Sequence, residues 1–399
     1  MRIAFISTMA AAPWGGSEEL WTRTAAEALQ QGHEVYCSVM KWHTLAPELV
    51  RLQEQGAQLH LRPLYSPDLL VRIYRRLVNK LGCTESLPKT LDRFTPDVIC
   101  VNQGGNFDLT EMHWLRNYLL QSKAPLGILC HNFNPGVLPS DEAKRHGVAI
   151  FQKAKRLFFV SQEQAHVTQR QLAQTFDHCV VVKNPVNLVN TAMQPWPENP
   201  TPQLAMVASL DVNRKGHDVV LEALSHPAWR YRSWHVNIYG DGPDRAYITE
   251  LIAMYGLTEK VTLHGIVTDI EAVWRQNHLL LLPSRLEAAP LAVMEAMLCG
   301  RPVVATAVGT VPEWIVPGQH GFVAPAPTVA LFNEALEAAW EARTQWSGMG
   351  HQAHLAARQH TDSRAPATFL NLLTELTQQE QQRQQEQEIP VGGEVSLVS

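Results

Sequence analysis

The sequence predicts an α/β protein of parallel, Rossmann-like βαβ units, long enough at 399 residues for two domains. Three observations carry this. Leu279–Leu282 is a wholly apolar run bounded by Pro283-Ser284, as expected of a strand buried on both faces, and a helix and a second apolar strand from Val303 follow it. The chain also opens on this pattern: Arg2–Ser7 as a strand, a glycine turn, a helix from about Glu18 to Gln31, and a strand over Glu34–Met40. Between these two regions lies Pro195-Trp-Pro-Glu-Asn-Pro-Thr-Pro202, a polar segment without periodicity and the best linker candidate.

Composition bounds the function. The chain is 45% hydrophobic and 18% charged, an ordinary globular balance, and no apolar run approaches the length needed to cross a bilayer. The opening apolar stretch is too short for a secretory signal and reads as the first strand. Six cysteines are scattered without a Cys-x-x-Cys pair, which argues against a disulfide framework or a zinc site and fits a reducing cytoplasm. The net charge of −5 and the lack of a strongly basic block exclude nucleic acid as the expected partner.

In the first half, Gly15-Gly16 stands where a dinucleotide fingerprint would be, but the Gly-x-Gly-x-x-Gly pattern is missing. The paired glycines permit close backbone approach at the amino end of the next helix, where free N–H groups favour anions. A tight turn with no ligand is the competing reading. Residues 68–82 suggest a basic amphipathic helix. Leu70, Ile73, Tyr74, Leu77 and Leu81 form its apolar stripe, and Arg72, Arg75, Arg76 and Lys80 lie elsewhere on it. Such a helix packs its stripe on the domain core or lies on anionic lipid at the inner face of a membrane. Two further apolar strands end in polar crests, Asp97–Asn102 before Gln103-Gly-Gly-Asn106, and Pro125–Cys130 before His131. His131 is either structural or a ligand of the substrates.

In the second half, a strand over Leu204–Ser209 precedes Asp211-Val-Asn-Arg214-Lys215-Gly216-His217-Asp218. Adjacent cations before a glycine and a helix suit a diphosphate, Arg offering a fork and Lys a mobile point charge. Further strands end at Gly240-Asp-Gly-Pro243 and at Gly265. After Leu282 comes a turn carrying Glu287, then Pro290 at the first helical position, then Glu295 inside the helix, then a stop at Gly300.

Glu287 and Glu295 with seven residues between them, followed by Ala-Met-Leu-Cys-Gly-Arg-Pro-Val-Val-Ala305, resemble the E-x7-E signature of retaining, nucleotide-sugar-dependent glycosyltransferases of family 4. Gly15-Gly16, the Glu at 18 or 19, Asn184-Pro-Val-Asn187 and Arg214-Lys215-Gly-His-Asp218 resemble other elements of that family, and the resemblance covers roughly residues 2–376.

The resemblance implies the GT-B fold, two Rossmann-like domains facing across a cleft. Residues 1–187 would form the acceptor domain and 203–361 the nucleotide-sugar domain. A helix over 362–377 would cross back to the first domain, and a disordered tail would occupy 378–399. It implies transfer of a sugar, with retention, from a nucleoside diphosphate sugar to a hydroxyl of a glycan, a lipid-linked or a small-molecule acceptor. Lys215, Glu287 and His131 would be the catalytic set. Gly15, Gly16, Arg214, Lys215, Glu287, Leu291, Ala292 and Glu295 would bind the donor, Glu287 at the sugar and Glu295 at the ribose, and Gly265 and Ile266 would hold the base.

Neither a metal nor a cofactor is expected, because no metal cluster or Asp-x-Asp element stands at a candidate site. Two departures weigh on these roles. Many members carry an Arg at the position of Ser209, and Ala288-Ala289-Pro290 replaces a glycine-rich turn, so Leu291 and Ala292 would supply the N–H groups. The rival readings are a sugar-nucleotide epimerase of the same fold and a non-catalytic glycosyltransferase-like subunit.

Overall fold

The structure, a computed structural model, describes residues 1–10, 12–63 and 86–388, so the basic helix expected over 68–82 lies outside the described residues. The chain divides into two compact units, Met1–Phe159 with Thr168–Val182 and Arg364 onward, and Val160–Val167 with Lys183–Ser363.

The first unit holds a seven-stranded parallel sheet of β1 (Arg2–Ser7), β2 (Glu34–Lys41), β3 (Gln58–Pro63), β4 (Val98–Gln103), β5 (Leu126–Cys130), β6 (Arg156–Phe159) and β7 (Cys179–Val181). Its order is β3-β2-β1-β4-β5-β6-β7, so the winding direction reverses between β1 and β4. That reversal opens a crevice at the carboxyl ends of these two strands, where ligands of such sheets bind. β4 and β5 are buried along their whole length, as their apolar runs require. β3, an edge strand, escapes a search for apolar runs because Gln-Leu-His-Leu-Arg-Pro is short, polar at every other position and ends in proline.

The last helix, Ala365–Glu388, belongs to this unit and packs on the helix Gly16–Gln30 and on β4 and β5. Phe369 meets Phe158 edge to face at 4.9 Å, and Thr24 Oγ1 donates to the Pro366 carbonyl at 3.3 Å. The helix runs well past position 377, correcting the expectation of disorder over 378–388. The physical reason is propensity: Gln and Glu are good helix formers, and Lys155 pairs with Glu380 at 2.8 Å.

The second unit holds a six-stranded parallel sheet of β8 (Gln203–Val207), β9 (His235–Tyr239), β10 (Val261–Gly265), β11 (Leu279–Leu282), β12 (Val303–Thr306) and β13 (Gly321–Ala324), ordered β10-β9-β8-β11-β12-β13. This is the doubly wound Rossmann order, with its reversal between β8 and β11. Alternate residues supply two cores. Leu204, Met206, Leu279 and Leu281 pack on one face, and Ala205, Leu280, Leu282 and Val303 on the other. Each fully buried leucine contributes about 2 kcal/mol.

The proline-rich segment 195–202 is not a free linker, and the chain passes into this unit at Lys183. Arg301 is 1% exposed and fixes the segment's start, donating to the carbonyls of Gln194 and Pro195 as well as Trp274 and Asn277. Trp196 lies against the core. A buried guanidinium that needs carbonyl partners thus recruits a stretch whose composition suggested freedom.

Candidate active site

At the reversal point of the second unit, the loops after β8 and β11 are built as one piece. Asp211 caps the short helix Val212–Lys215 by accepting from the Arg214 N–H at 3.2 Å, and Asp244 accepts from the Val212 N–H at 2.7 Å. Gly216 follows with φ +68°, and a Cβ there would lie 2.2 Å from the Pro283 carbonyl oxygen, so a glycine is required. The Arg214 carbonyl accepts from the N–H groups of Arg285 and Leu286 at 2.8 and 3.3 Å. Arg285 forks Asp218 through two bonds of 2.8 and 2.7 Å, and this hydrogen-bonded pair raises the Arg285 pKa.

The stitched loops bring Lys215 to Glu287. Lys215 Nζ lies 2.5 Å from Glu287 Oε1, and Ser284 Oγ donates to the same oxygen at 2.9 Å. No described residue donates to Oε2. From behind, Gly309 at φ +55° holds the turn so closely that a Cβ would sit 2.4 Å from the Ala288 carbonyl.

The helix after the turn runs Leu291–Leu298, with Pro290 as its N-cap rather than its first helical residue. Among the described residues, no acceptor meets the N–H of Leu291 or Ala292, so this end offers two donors and a favourable dipole. Glu295 is 3% exposed, and one of its oxygens accepts from the Asn187 N–H at 3.0 Å. The two glutamates therefore have different neighbours, Glu287 the cationic loop and Glu295 the turn over 184–187. Arg214 has its Nε buried, and no described residue accepts from it. Gly265 gives its carbonyl to the Gly240 N–H at 2.7 Å, while Ile266 is exposed. Ser209 is exposed at the crest of β8. His217 is fully buried, and burial, aided by the Lys215 charge, pushes its pKa down to about 4.

At the reversal point of the first unit, Gly15 is the extended N-cap of the helix Gly16–Gln30, and the N–H groups of Gly16 and Ser17 meet no acceptor among the described residues. The structure separates the two candidate glutamates. Glu19 pairs with Arg23 and with the Trp14 indole. Glu18 turns inward, accepting from Ser7 Oγ at 3.1 Å, Trp21 Nε1 at 3.0 Å and Asn102 Nδ2 at 2.9 Å. Burial pushes its carboxyl up to about 7 despite these bonds.

His131, at the end of β5, is buried with no described partner for either ring nitrogen, and burial takes its pKa down to about 3, so the ring is neutral. Asp108 closes the crest, accepting from Thr8 Oγ1 at 2.5 Å and the Gly105 N–H at 3.1 Å.

Ser284, the Arg285–Asp218 fork, Asn102 and the inward turn of Glu18 carry no separate sequence signal. Apart from Ser284 with Glu287 and Glu18 with Trp21, each three residues apart, their partners are distant in the chain. Among the described residues, no group of three or more His, Cys, Asp or Glu is placed to hold a metal ion, and no helix is long and apolar enough to cross a membrane.

Two family models match the chain, "Glycosyltransferase Family 4" over residues 14–190 and "Glycosyl transferases group 1" over residues 201–342. One component of the human phosphatidylinositol N-acetylglucosaminyltransferase is 31% identical over 161 residues, 40% of this chain and 33% of that protein. The alpha-D-kanosaminyltransferase of Streptomyces kanamyceticus is 34% identical over 125 residues, 31% of this chain and 32% of that protein. The matches thus span about a third of the length of these curated relatives.

Among solved structures, Anabaena Alr3699/HepE in complex with UDP aligns with a TM-score of 0.67 at 18% identity, over 97% of this chain and 100% of that one. A Rickettsia africae glycosyltransferase aligns with a TM-score of 0.72 at 15% identity, over 95% and 98%. At these identities the structural likeness speaks for the fold.

Proposed function

The chain belongs to the family 4 type of glycosyltransferases, with the two Rossmann-like domains of the GT-B fold, and on that premise we propose that it transfers a sugar from a nucleoside diphosphate sugar to an acceptor hydroxyl, with retention and without a metal. The observation that carries this reading is the Lys215–Glu287 pair beside the free N–H groups of Leu291 and Ala292.

An ammonium has three donors, and Glu287 takes one. The others, with Arg214 and the helix end, are available to the diphosphate and stabilise the charge that grows on it as it leaves. Glu287 Oε2 accepts from a sugar hydroxyl. Glu295 orients the ribose while keeping its hold on the Asn187 N–H, and Gly265 and Ile266 flank the base. In the first unit, the turn of Gly15 and Gly16 offers N–H groups to an anion, and neutral His131 offers a ring nitrogen to a substrate hydroxyl. In the transfer step, the bond from the anomeric carbon to the phosphate oxygen breaks and a bond to the acceptor oxygen forms on the same face. The departing phosphate oxygen takes the acceptor proton, so no protein nucleophile is required.

A glycan or lipid-linked acceptor fits this reading. The human relative acts on phosphatidylinositol by name, and an Anabaena neighbour was solved with UDP-glucose. The test is thermal shift of the full chain with UDP, GDP and ADP, with and without EDTA, followed by release of nucleotide from the matching sugar donors. A shift insensitive to EDTA and weakened in Glu295→Ala supports the reading. Absence of any shift would move the assignment to the non-catalytic role.

A further inference from the structure

One charged side chain of the first unit takes no part in this scheme. Arg62, near the end of β3, is 5% exposed. β2 separates β3 from β1, yet Arg62 Nη2 donates to the carbonyl of Ser7, the last residue of β1. Its guanidinium therefore lies at the carboxyl end of the sheet, on the β1 side of the reversal point where such sheets bind ligands. Its Nε and Nη1 are buried, and no described residue accepts from them.

The same crest leaves a complementary acceptor. Asn102 Oδ1, on the strand paired to Ser7, is buried and receives no hydrogen bond from the described residues. Glu18 is close enough for its charge to favour the Arg62 cation, but no hydrogen bond or ion pair joins the two. A strap from β3 to β1 needs only the bond to Ser7. Burying two further nitrogens of a cation without acceptors is unfavourable, and interiors avoid it unless a partner arrives. Burial lowers the Arg62 pKa only to about 10, so it is a cation at neutral pH.

We propose that Arg62 is a specificity-determining residue of the acceptor subsite, where it receives an oxyanion carried by the acceptor, with Asn102 Oδ1 accepting from a neighbouring hydroxyl. The substrate class is a polyhydroxyl compound bearing a phosphate ester or a carboxylate. This rests on the reading that the first unit takes the acceptor. The cations at the expected diphosphate site, Arg214 and Lys215, belong to the second unit.

The test titrates the full chain with inorganic phosphate and, separately, malonate at constant ionic strength, in saturating UDP so that the diphosphate site is filled, reading the melting temperature. Wild type should show a saturable rise with one of the anions, and which one distinguishes a phosphate ester from a carboxylate. In Arg62→Met the midpoint should move at least about tenfold higher, while Arg62→Lys, which keeps the charge without the fork, should fall between. The UDP shift should be the same in all three proteins.

Should Arg62→Met not melt cooperatively, Arg62→Lys carries the test through its weaker midpoint. Equal anion shifts in wild type and variants, or no saturable shift with either anion, would overturn the proposal. If neither UDP nor, in its place, GDP or ADP produces a shift, the donor reading fails. The anion titration is then repeated on Lys215→Ala with and without Arg62→Met, where loss of the response on removing Arg62 still supports this site and an unchanged response sinks it.

Discussion

Lys215 and Glu287 stand 72 positions apart in the chain and meet at 2.5 Å, with Ser284 holding the same carboxylate oxygen. The pair is nearly dry, at 16% and 9% side-chain exposure, so each charge depends on the other. Lys215→Ala should destabilise the fold by about 2 kcal/mol, because it leaves Glu287 buried without its cation. Lys215→Ala/Glu287→Ala should cost less than the sum of the two single variants. Urea unfolding of the four proteins measures the coupling. Transfer by Lys215→Ala should fall by about a hundredfold or more, since charge on the leaving diphosphate loses its nearest cation.

Gly216 is where the two loops press closest. An alanine there would adopt φ +68° and put a Cβ 2.2 Å from the Pro283 carbonyl. The backbone must shift, and with it the Arg214 carbonyl that holds Arg285 and Leu286. Gly216→Ala should therefore cost about 2 kcal/mol or more and abolish the nucleotide-induced thermal shift. A variant that binds nucleotide normally would mean the loop tolerates displacement.

These two sites show what sequence can and cannot carry. The strands around them were legible because Leu279–Leu282 and Leu204–Met206 are buried on both faces and read as apolar runs, and the cations were legible from Arg214-Lys215 ahead of a glycine and a helix. The Arg285–Asp218 fork was not, since it joins residues 67 apart and each was read only within its own local motif. β3 was missed because its residues form no apolar run and only Arg62 among them is buried, and Arg62 was missed with it. The segment 195–202 misled because composition reports what a chain can do alone, and Arg301 supplies what composition omits.

Glu18 gives the fold a pH dependence of known sign. Burial raises its carboxyl from 4.5 to about 7 in the folded state. The folded protein therefore holds this proton more tightly than the unfolded chain. The stability it contributes is fully present below about 4.5 and is lost as pH rises through about 7, on the order of 3 kcal/mol in all. Glu18→Gln, which keeps the shape of the neutral acid, should remove that slope. His131 and His217, pushed down to about 3 and 4, act in the opposite sense, losing stability as pH falls below the usual histidine range. They are common to both proteins, so the difference between wild type and Glu18→Gln across pH 4 to 8 isolates the carboxyl. A flat difference would mean that Glu18 ionises normally.

Ser209 offers a gain-of-function test. It is exposed at the end of β8, where the family resemblance leads one to expect an arginine, and Lys215 and Arg214 follow within the same loop. An added guanidinium there meets no buried apolar surface, so Ser209→Arg should change stability by no more than about 0.5 kcal/mol. It should tighten nucleoside diphosphate binding by about tenfold through charge-assisted bonds, with a steeper dependence on salt than the wild type shows. The nucleoside alone, which lacks the phosphates, should bind both proteins equally. Isothermal titration with both ligands at two salt concentrations reads the affinities and their salt dependence, and urea unfolding reads the stability. Equal diphosphate affinity in the two proteins would place Ser209 away from the phosphates and leave Arg214 as the second cation beside Lys215.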